Sequence, residues 1–340
     1  MKEIITLSLC TAAYNAESYI GRMIESVIKA DVKDSIELII INDGSTDKTE
    51  EIVLDYSERY KGIIQYKYKR NGGSGSARNV GIEIARGKYF KLLDADDYVD
   101  SNGLRRLVSI LKQEKSDMIL TNYTRLYGNK REIKKICNDI NSYCEKSIDE
   151  CIKPNELCMH AICFRTELLQ KNGIRLSEGM PYVDVEYIIF TMPYVYLVSY
   201  YDVNVYMYQL GLVGQSMDDN VRKKNLDKLK KIFFSTSSYF NEFDKENALS
   251  KGQEDMMSDI IAGLYRAVLV ICLRSGHHKE DAVNWINSFI YLNKNIKKKL
   301  SRVWEIRLMN KSKGKMYLPL SLLFRIKHKL YNMWEVTNHK

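Results

Sequence analysis

What most constrains this chain is a series of short apolar segments, each ending in a polar turn that opens a stretch with helical spacing. The clearest is Ile36 to Ile41, an apolar run of the kind that suits a strand buried on both faces of a parallel sheet. It stops at Asn42-Asp43-Gly44-Ser45-Thr46-Asp47, where Asp47 or Thr46 can cap a helix carrying Ile52, Val53 and Tyr56. Ile4 to Leu9 behaves likewise, running into Cys10 to Asn15 before apolar residues recur at helical spacing from Ser18 to Ile28. A third strand, Ile63 to Tyr68, is followed by Asn71 to Asn79 and a helix bearing Val80, Ile82 and Ile84; the next strand delivers Asp94. Strands alternating with helices require an α/β, doubly wound sheet, whose ligands sit at the carboxyl ends of the strands. Tyr14, Asp43, Gly73 and Asp94 all fall at such ends.

The strand Tyr89 to Leu93 runs straight into Asp94-Ala95-Asp96-Asp97. Residues i and i+2 of an extended segment point the same way, so Asp94 and Asp96 can face one Mg2+ or Mn2+. A cation held there binds a diphosphate. Gly73 and Gly75 permit close backbone approach, and the helix N-terminus after them offers N–H groups to a phosphate or a donor sugar. The same stretch matches neither the Walker pattern nor GxGxxG, which removes the main support for P-loop and dinucleotide readings.

Tyr14-Asn15-Ala16-Glu17, Ile41 to Asp47, Gly73 to Asn79 and Leu93 to Asp97, in this order and spacing, resemble the GT-A fold glycosyltransferases of family 2. Those enzymes transfer a sugar from a nucleotide donor with inversion at the anomeric carbon. The resemblance runs over roughly residues 3 to 217. It implies a GT-A domain at 1–217, with a nucleotide-sugar half at about 1–123 and an acceptor half at about 150–217, then a helical region at 218–340. It also implies that Ala12, Ala13, Tyr14 and Asn15 hold the nucleotide base, where a stacked ring contributes about 1–3 kcal/mol. Ala12 stands where many relatives have Pro. By the same likeness Asp43 accepts from the base N–H, and Gly73, Arg78, Asp94 and Ala95 complete the nucleotide site. Asp96 resembles the direct metal ligand, and Asp94 the partner that reaches the ribose or the metal's water shell. Asp97 can substitute as a ligand, or cap the helix starting near Ser101.

In the acceptor half, Phe164 to Leu169, Gly173 to Leu176 and Tyr182 to Tyr187 resemble the family's pattern, which ends in a Glu-Asp pair opening a helix. Val183 replaces the Glu. Asp184 remains as the candidate general base, with Glu186 as the alternative. Tyr206-Met207-Tyr208 resembles the closing strand, and Gly214-Gln215-Ser216-Met217 a lid that excludes water.

Seven cysteines without a pairing framework suit a reducing cytosol. Cys137, Cys144, Cys151 and Cys158 recur every seven residues, and neither that repeat nor the Cys158 to Cys163 spacing is that of a zinc site. The polar stretch from about Tyr127 to Tyr143 reads as a surface excursion, and no apolar run reaches the length of a membrane span. Residues 294–340 carry 13 Lys and Arg against 2 Asp and Glu, a net +11 that exceeds the +9 of the whole chain. Trp304, Met316, Tyr317, Leu318, Leu320, Leu322, Leu323, Phe324, Leu330, Tyr331 and Trp334 are interleaved with them. That composition suits an anionic membrane surface; the alternative is a helical cap that packs on the catalytic domain with its lysines merely solvated. No nucleic-acid-binding module is recognisable, so nucleic acid is not an expected partner, and homo-oligomerisation stays open.

The expectation is a Mn2+- or Mg2+-dependent inverting glycosyltransferase that uses a UDP-sugar. Its acceptor is a glycan or lipid-linked glycan of the cell surface or capsule, and its place is cytoplasmic, peripheral at the inner face of the cell membrane. The alternatives are a polyprenyl-phosphate sugar synthase, whose phosphate acceptor needs little general-base help, and an inactive nucleotide-sugar-binding assembly protein.

Overall fold

The structure is a computed structural model that describes residues 5–138, 140–212, 215, 218–275 and 279–337, the last eight by backbone alone. The chain forms two compact units, Met1–Leu212 and Val213–Lys340.

In chain order the first unit comprises β1 (Leu7–Ala13), α1 (Ile20–Ile28), β2 (Ile36–Asn42), α2 (Thr49–Arg59), β3 (Ile64–Tyr68), α3 (Gly73–Ile84) and β4 (Tyr89–Leu92). There follow β5 (Tyr98–Val99), α4 (Ser101–Gln113), β6 (Met118–Tyr127), β7 (Lys130–Lys134), β8 (Ser142–Ser147), β9 (Ile162–Arg165), α5 (Thr166–Lys171), α6 (Val183–Thr191) and β10 (Leu197–Leu210). One sheet has the order β3-β2-β1-β4-β9-β6-β10-β5. Its first four strands are parallel, as βα alternation requires. Beyond them it is mixed, because β9 enters between β4 and β6 in the opposite sense to both.

Every residue of β2 is buried, including Glu37, which the apolar run conceals. Its carboxylate accepts from Ser8 Oγ at 2.6 Å and from the backbone and side chain of Arg86, so the buried charge is fully partnered. Helix α1 buries Ile20, Met23, Ile24 and Val27 on one stripe. Helix α4 is capped by Asp100, which accepts from Gly103 N at 2.7 Å. Asp97 therefore does not cap it, contrary to one of the two roles the sequence offered. The polar stretch after β6 includes a strand: β7 pairs antiparallel with β6 as a solvent-exposed hairpin arm.

The second unit is helical: α7 (Asp219–Lys224), α8 (Leu226–Lys245), α9 (Lys251–Ser275), α10 (Lys279–Asn287), α11 (Lys294–Leu300), α12 (Trp304–Lys311) and α13 (Tyr317–Thr337). By length and composition α9 could cross a membrane, which the sequence reading did not anticipate. It serves here as the central helix, burying Met257, Ile261, Tyr265, Val268 and Leu269 among its neighbours. Tyr265 and Trp285 fasten α9 to α10 by reciprocal side chain to carbonyl bonds of 2.6 and 2.9 Å.

Candidate active site

The first two βα turns are stitched together at the carboxyl edge of the sheet. Asn15 adopts φ +48°, a left-handed conformation that Asn tolerates. Its side-chain oxygen accepts from Thr46 N at 2.9 Å while its own N–H donates to Ser45 Oγ at 3.0 Å. Asp47 accepts from Glu17 N at 3.0 Å, and Glu17 returns the bond by accepting from Lys48 N at 2.9 Å. The Asn15 amide oxygen thus builds the turn. Ala13 is buried, Ala12 half-buried, and the ring of Tyr14 stands 53% exposed at the strand end.

Asp43 is buried and gathers the next loop around itself. It accepts from Gly72 N at 3.0 Å, Gly73 N at 2.7 Å and Lys69 Nζ at 2.8 Å. A carboxylate has about four acceptor positions, and these three bonds take most of them. The first N–H groups at the start of α3 are accordingly spent on Asp43. The glycines there admit protein: a Cβ on Gly75 would lie 2.2 Å from the Ser177 carbonyl oxygen, and Gly73, at φ +83°, has Gly179 backbone 3.0 Å from the same virtual position. The segment 174–179 is laced to α3 by Asn79, which accepts from Leu176 N at 2.8 Å and donates to Leu176 O at 2.9 Å.

At the end of β4, Arg78 and the acidic run meet. The buried Arg78 donates from Nη2 to Asp94 Oδ1 at 2.7 Å. Tyr206, on β10, accepts from Asp94 N at 3.1 Å and donates to Asp97 Oδ2 at 2.6 Å; Gln209 N donates to the other Asp97 oxygen at 2.7 Å. Ala95 is buried between these acids, and the half-exposed Asp96 accepts from Arg22 through its carbonyl at 2.8 Å. Burial, with Asp96 and Asp94 close by, pushes the Asp97 carboxyl well above the ordinary carboxylate range.

Among the described residues, ligand atoms of Asp94, Asp97 and His160 lie within 4.8 Å of one another. The sequence paired Asp94 with Asp96; the structure gathers Asp94 with Asp97 and His160, and Asp96 is not in that group. His160 stacks on Tyr208 at 4.1 Å, and burial lowers its pKa to about 3, so the imidazole is neutral and offers a lone pair. Crowded carboxylates beside a neutral imidazole fit a divalent cation.

Asp184 opens α6, just after Tyr182 at φ +63°. Burial raises its carboxyl above the ordinary value, Arg78 opposes that rise and Asp94 adds to it. Glu186 is fully buried and committed to Ser177, accepting from its N–H at 2.7 Å and its hydroxyl at 2.8 Å. Of the two acids, Asp184 is thus the one whose electrostatics tie it to Arg78 and Asp94. In the proposed lid, Gly214, Ser216 and Met217 lie outside the described residues.

Residues 8–170 match the family model described as Glycosyl transferase family 2. Residues 8–170 thus form a glycosyl transferase family 2 domain. Minor teichoic acid biosynthesis protein GgaB of Bacillus subtilis is 37% identical over 112 residues, 33% of this chain and 12% of the relative. Poly(ribitol-phosphate) beta-glucosyltransferase of Bacillus spizizenii is 29% identical over 191 residues, 55% of this chain and 29% of the relative. The chain therefore spans less than a third of either curated relative. S. aureus TarS 1-349, solved in complex with UDP-GlcNAc, shares the fold with a TM-score of 0.70 at 18% identity, over 96% of this chain and 92% of the other.

Three residues of this cluster were not picked out in the sequence. His160 was passed over within an unfamiliar cysteine spacing. Tyr206 read only as part of a closing strand, yet it bridges Asp94 and Asp97. Lys91 is fully buried and donates to His160 O at 2.7 Å and Ile162 O at 3.2 Å, fixing the backbone that carries the imidazole. A lysine amid Tyr89, Phe90 and Leu92 was the available signal, since lysine is almost never fully buried without partners.

Proposed function

We propose that this chain transfers a sugar from a nucleoside-diphosphate sugar, UDP-linked as in the TarS complex, to a hydroxyl of a cell-surface glycan, with inversion. The observation that carries this reading is Arg78, a buried guanidinium bonded to Asp94 at the strand end and acting electrostatically on Asp184 at a helix start. One cation thereby links the donor-side acids to the acceptor-side acid. Asp184 takes the proton of the acceptor hydroxyl as its oxygen attacks the anomeric carbon. The bond from that carbon to the diphosphate breaks on the opposite face, and its electron pair leaves with the nucleoside diphosphate. Tyr14 offers its exposed ring to the base. Asp43 shapes the neighbouring loop and would offer its remaining acceptor capacity to a base N–H.

Asp94, Asp97 and His160 would hold a divalent cation, and Tyr206 and Gln209 orient Asp97 for it. When bound, such a cation neutralises charge on the departing diphosphate. The oxygens suit Mg2+ or Mn2+, and the imidazole favours the transition ion.

A thermal-shift screen of nucleotide sugars with and without Mn2+ tests the donor side, because selective binding to the folded state raises its stability. A Mn2+-dependent shift with one or a few UDP-sugars is the expected result; no shift with any nucleotide sugar contradicts the reading. Undiminished transfer by Asp184→Asn would redirect it to a phosphate acceptor.

A further inference from the structure

The helical unit carries an outward face that the transferase reading does not use. On its inner side α13 is fastened to α9 and α7. Tyr317 and Leu320 are buried, Tyr317 Oη donates to Cys272 O at 3.1 Å, Ser321 Oγ donates to Leu273 O at 2.8 Å, and His328 pairs with Asp219 at 2.5 Å. On the outer side Leu318, Leu322, Leu323 and Ile326 are 64%, 59%, 41% and 49% exposed. At about 100° per residue these positions form one stripe centred near Leu322 and Ile326. Arg325 flanks it on one side and Lys327 on the other, and Lys329 stands at its C-terminal end, all exposed. Trp304, 43% exposed, stacks on Phe324 at 6.1 Å beside it.

An apolar stripe edged on both sides by long cationic side chains is how a helix lies in a lipid interface, with leucines inserted and ammonium groups reaching up to headgroups. Charge complementarity selects the occupant. A second copy meeting this face would bring the same cations together, whereas anionic headgroups neutralise them. The only acidic residue of Tyr317–Thr337 is Glu335, and residues 294–340 hold the chain's entire positive excess. We infer that the outer face of α13 docks the protein on an anionic membrane surface. Leu322 and Ile326 insert, and Arg325, Lys327 and Lys329 meet the headgroups.

The full-length chain is sedimented with vesicles of phosphatidylcholine alone or mixed with phosphatidylglycerol, at roughly 0.01 M and roughly 1 M salt, where the Debye length is about 30 Å and about 3 Å. The protein is expected to sediment with the anionic vesicles at low salt and at least about tenfold less at high salt. Leu322→Glu with Ile326→Glu, both at exposed positions, should lower anionic binding by about tenfold or more at an unchanged melting temperature. Should that pair perturb folding, the exposed set Arg325→Glu, Lys327→Glu and Lys329→Glu tests the same face by charge alone. Full-length protein left in the supernatant at low salt overturns the inference, as does binding that a folded variant of either kind leaves intact. A wild type that is dimeric and fails to bind vesicles, with the leucine-stripe variant monomeric, also overturns it and assigns the face to a second copy.

Discussion

Arg78 Nη2 stands 2.7 Å from Asp94 Oδ1, and the same guanidinium opposes the burial-driven rise of the Asp184 carboxyl. Arg78 is buried while the Asp94 side chain is about one-third exposed, so water can partly replace the lost partner when the arginine is removed. Arg78→Met is therefore expected to cost less than the roughly 3–5 kcal/mol of breaking a fully buried pair. It should nevertheless abolish most transfer. Urea unfolding beside a transfer assay checks this: a variant with wild-type turnover would remove Arg78 from the site.

The pH dependence follows from Asp184. A general base must be ionised, so transfer should fall as pH drops through its pKa, and burial sets that pKa above the ordinary aspartate value of about 3.9. Arg78 lowers it, so any activity left in Arg78→Met should show its acidic limb displaced to higher pH. The measurement is kcat/KM against pH for both proteins. An acidic limb at the same pH in both would mean that the arginine does not act on the titrating base.

Gly75 and Gly263 give opposite predictions for one substitution. At Gly75 a Cβ would sit 2.2 Å from Ser177 O, where α3 meets the segment that positions α6, and backbone must move to admit it. Gly75→Ala should destabilise the protein by about 1–3 kcal/mol, as overpacking does. Gly263 lies within α9 with nothing within 4 Å of its virtual Cβ, so Ala there should stabilise by up to about 1 kcal/mol through helix propensity. Thermal melts of the two variants decide the matter, and equal shifts would contradict the packing at Gly75.

The α/β class and the chain positions of the first four strands were legible because alternation and apolar runs are local signals. The turns at Tyr14, Asp43 and Asp94 could be found for the same reason: each is a strand end. Less legible was what those residues do for each other. Asp43 reads as a ligand-facing acid in sequence, but 29 and 30 residues later it finds Gly72 N and Gly73 N. His160 joins Asp94 only because β9 runs antiparallel between β4 and β6, a reversal that no local period announces. The clean apolar look of Ile36 to Ile41 hid Glu37, whose partners Ser8 and Arg86 lie far along the chain.

His160 and Asp97 separate the metal proposal from the original Asp94 and Asp96 pairing. His160→Ala should weaken Mn2+-dependent stabilisation by UDP about 10-fold or more while leaving the unliganded fold intact, as removal of a ligating group does. Titration calorimetry with Mn2+ and UDP measures it. Affinity unchanged in His160→Ala and lost in Asp96→Ala would return the cation to Asp96.

The most direct measurement is release of UDP from a panel of UDP-sugars by wild-type protein and by Asp184→Asn, each with Mn2+ and with a chelator, in the presence of a glycan acceptor. The wild type should release UDP from at least one donor, with strong dependence on the cation. Asp184→Asn should retain donor binding but turn over about 10²-fold or more slowly, the usual cost of losing a general base. Equal rates in the two proteins would contradict the assignment of Asp184 as the general base, and no UDP released from any donor by the wild type would contradict glycosyl transfer at this site.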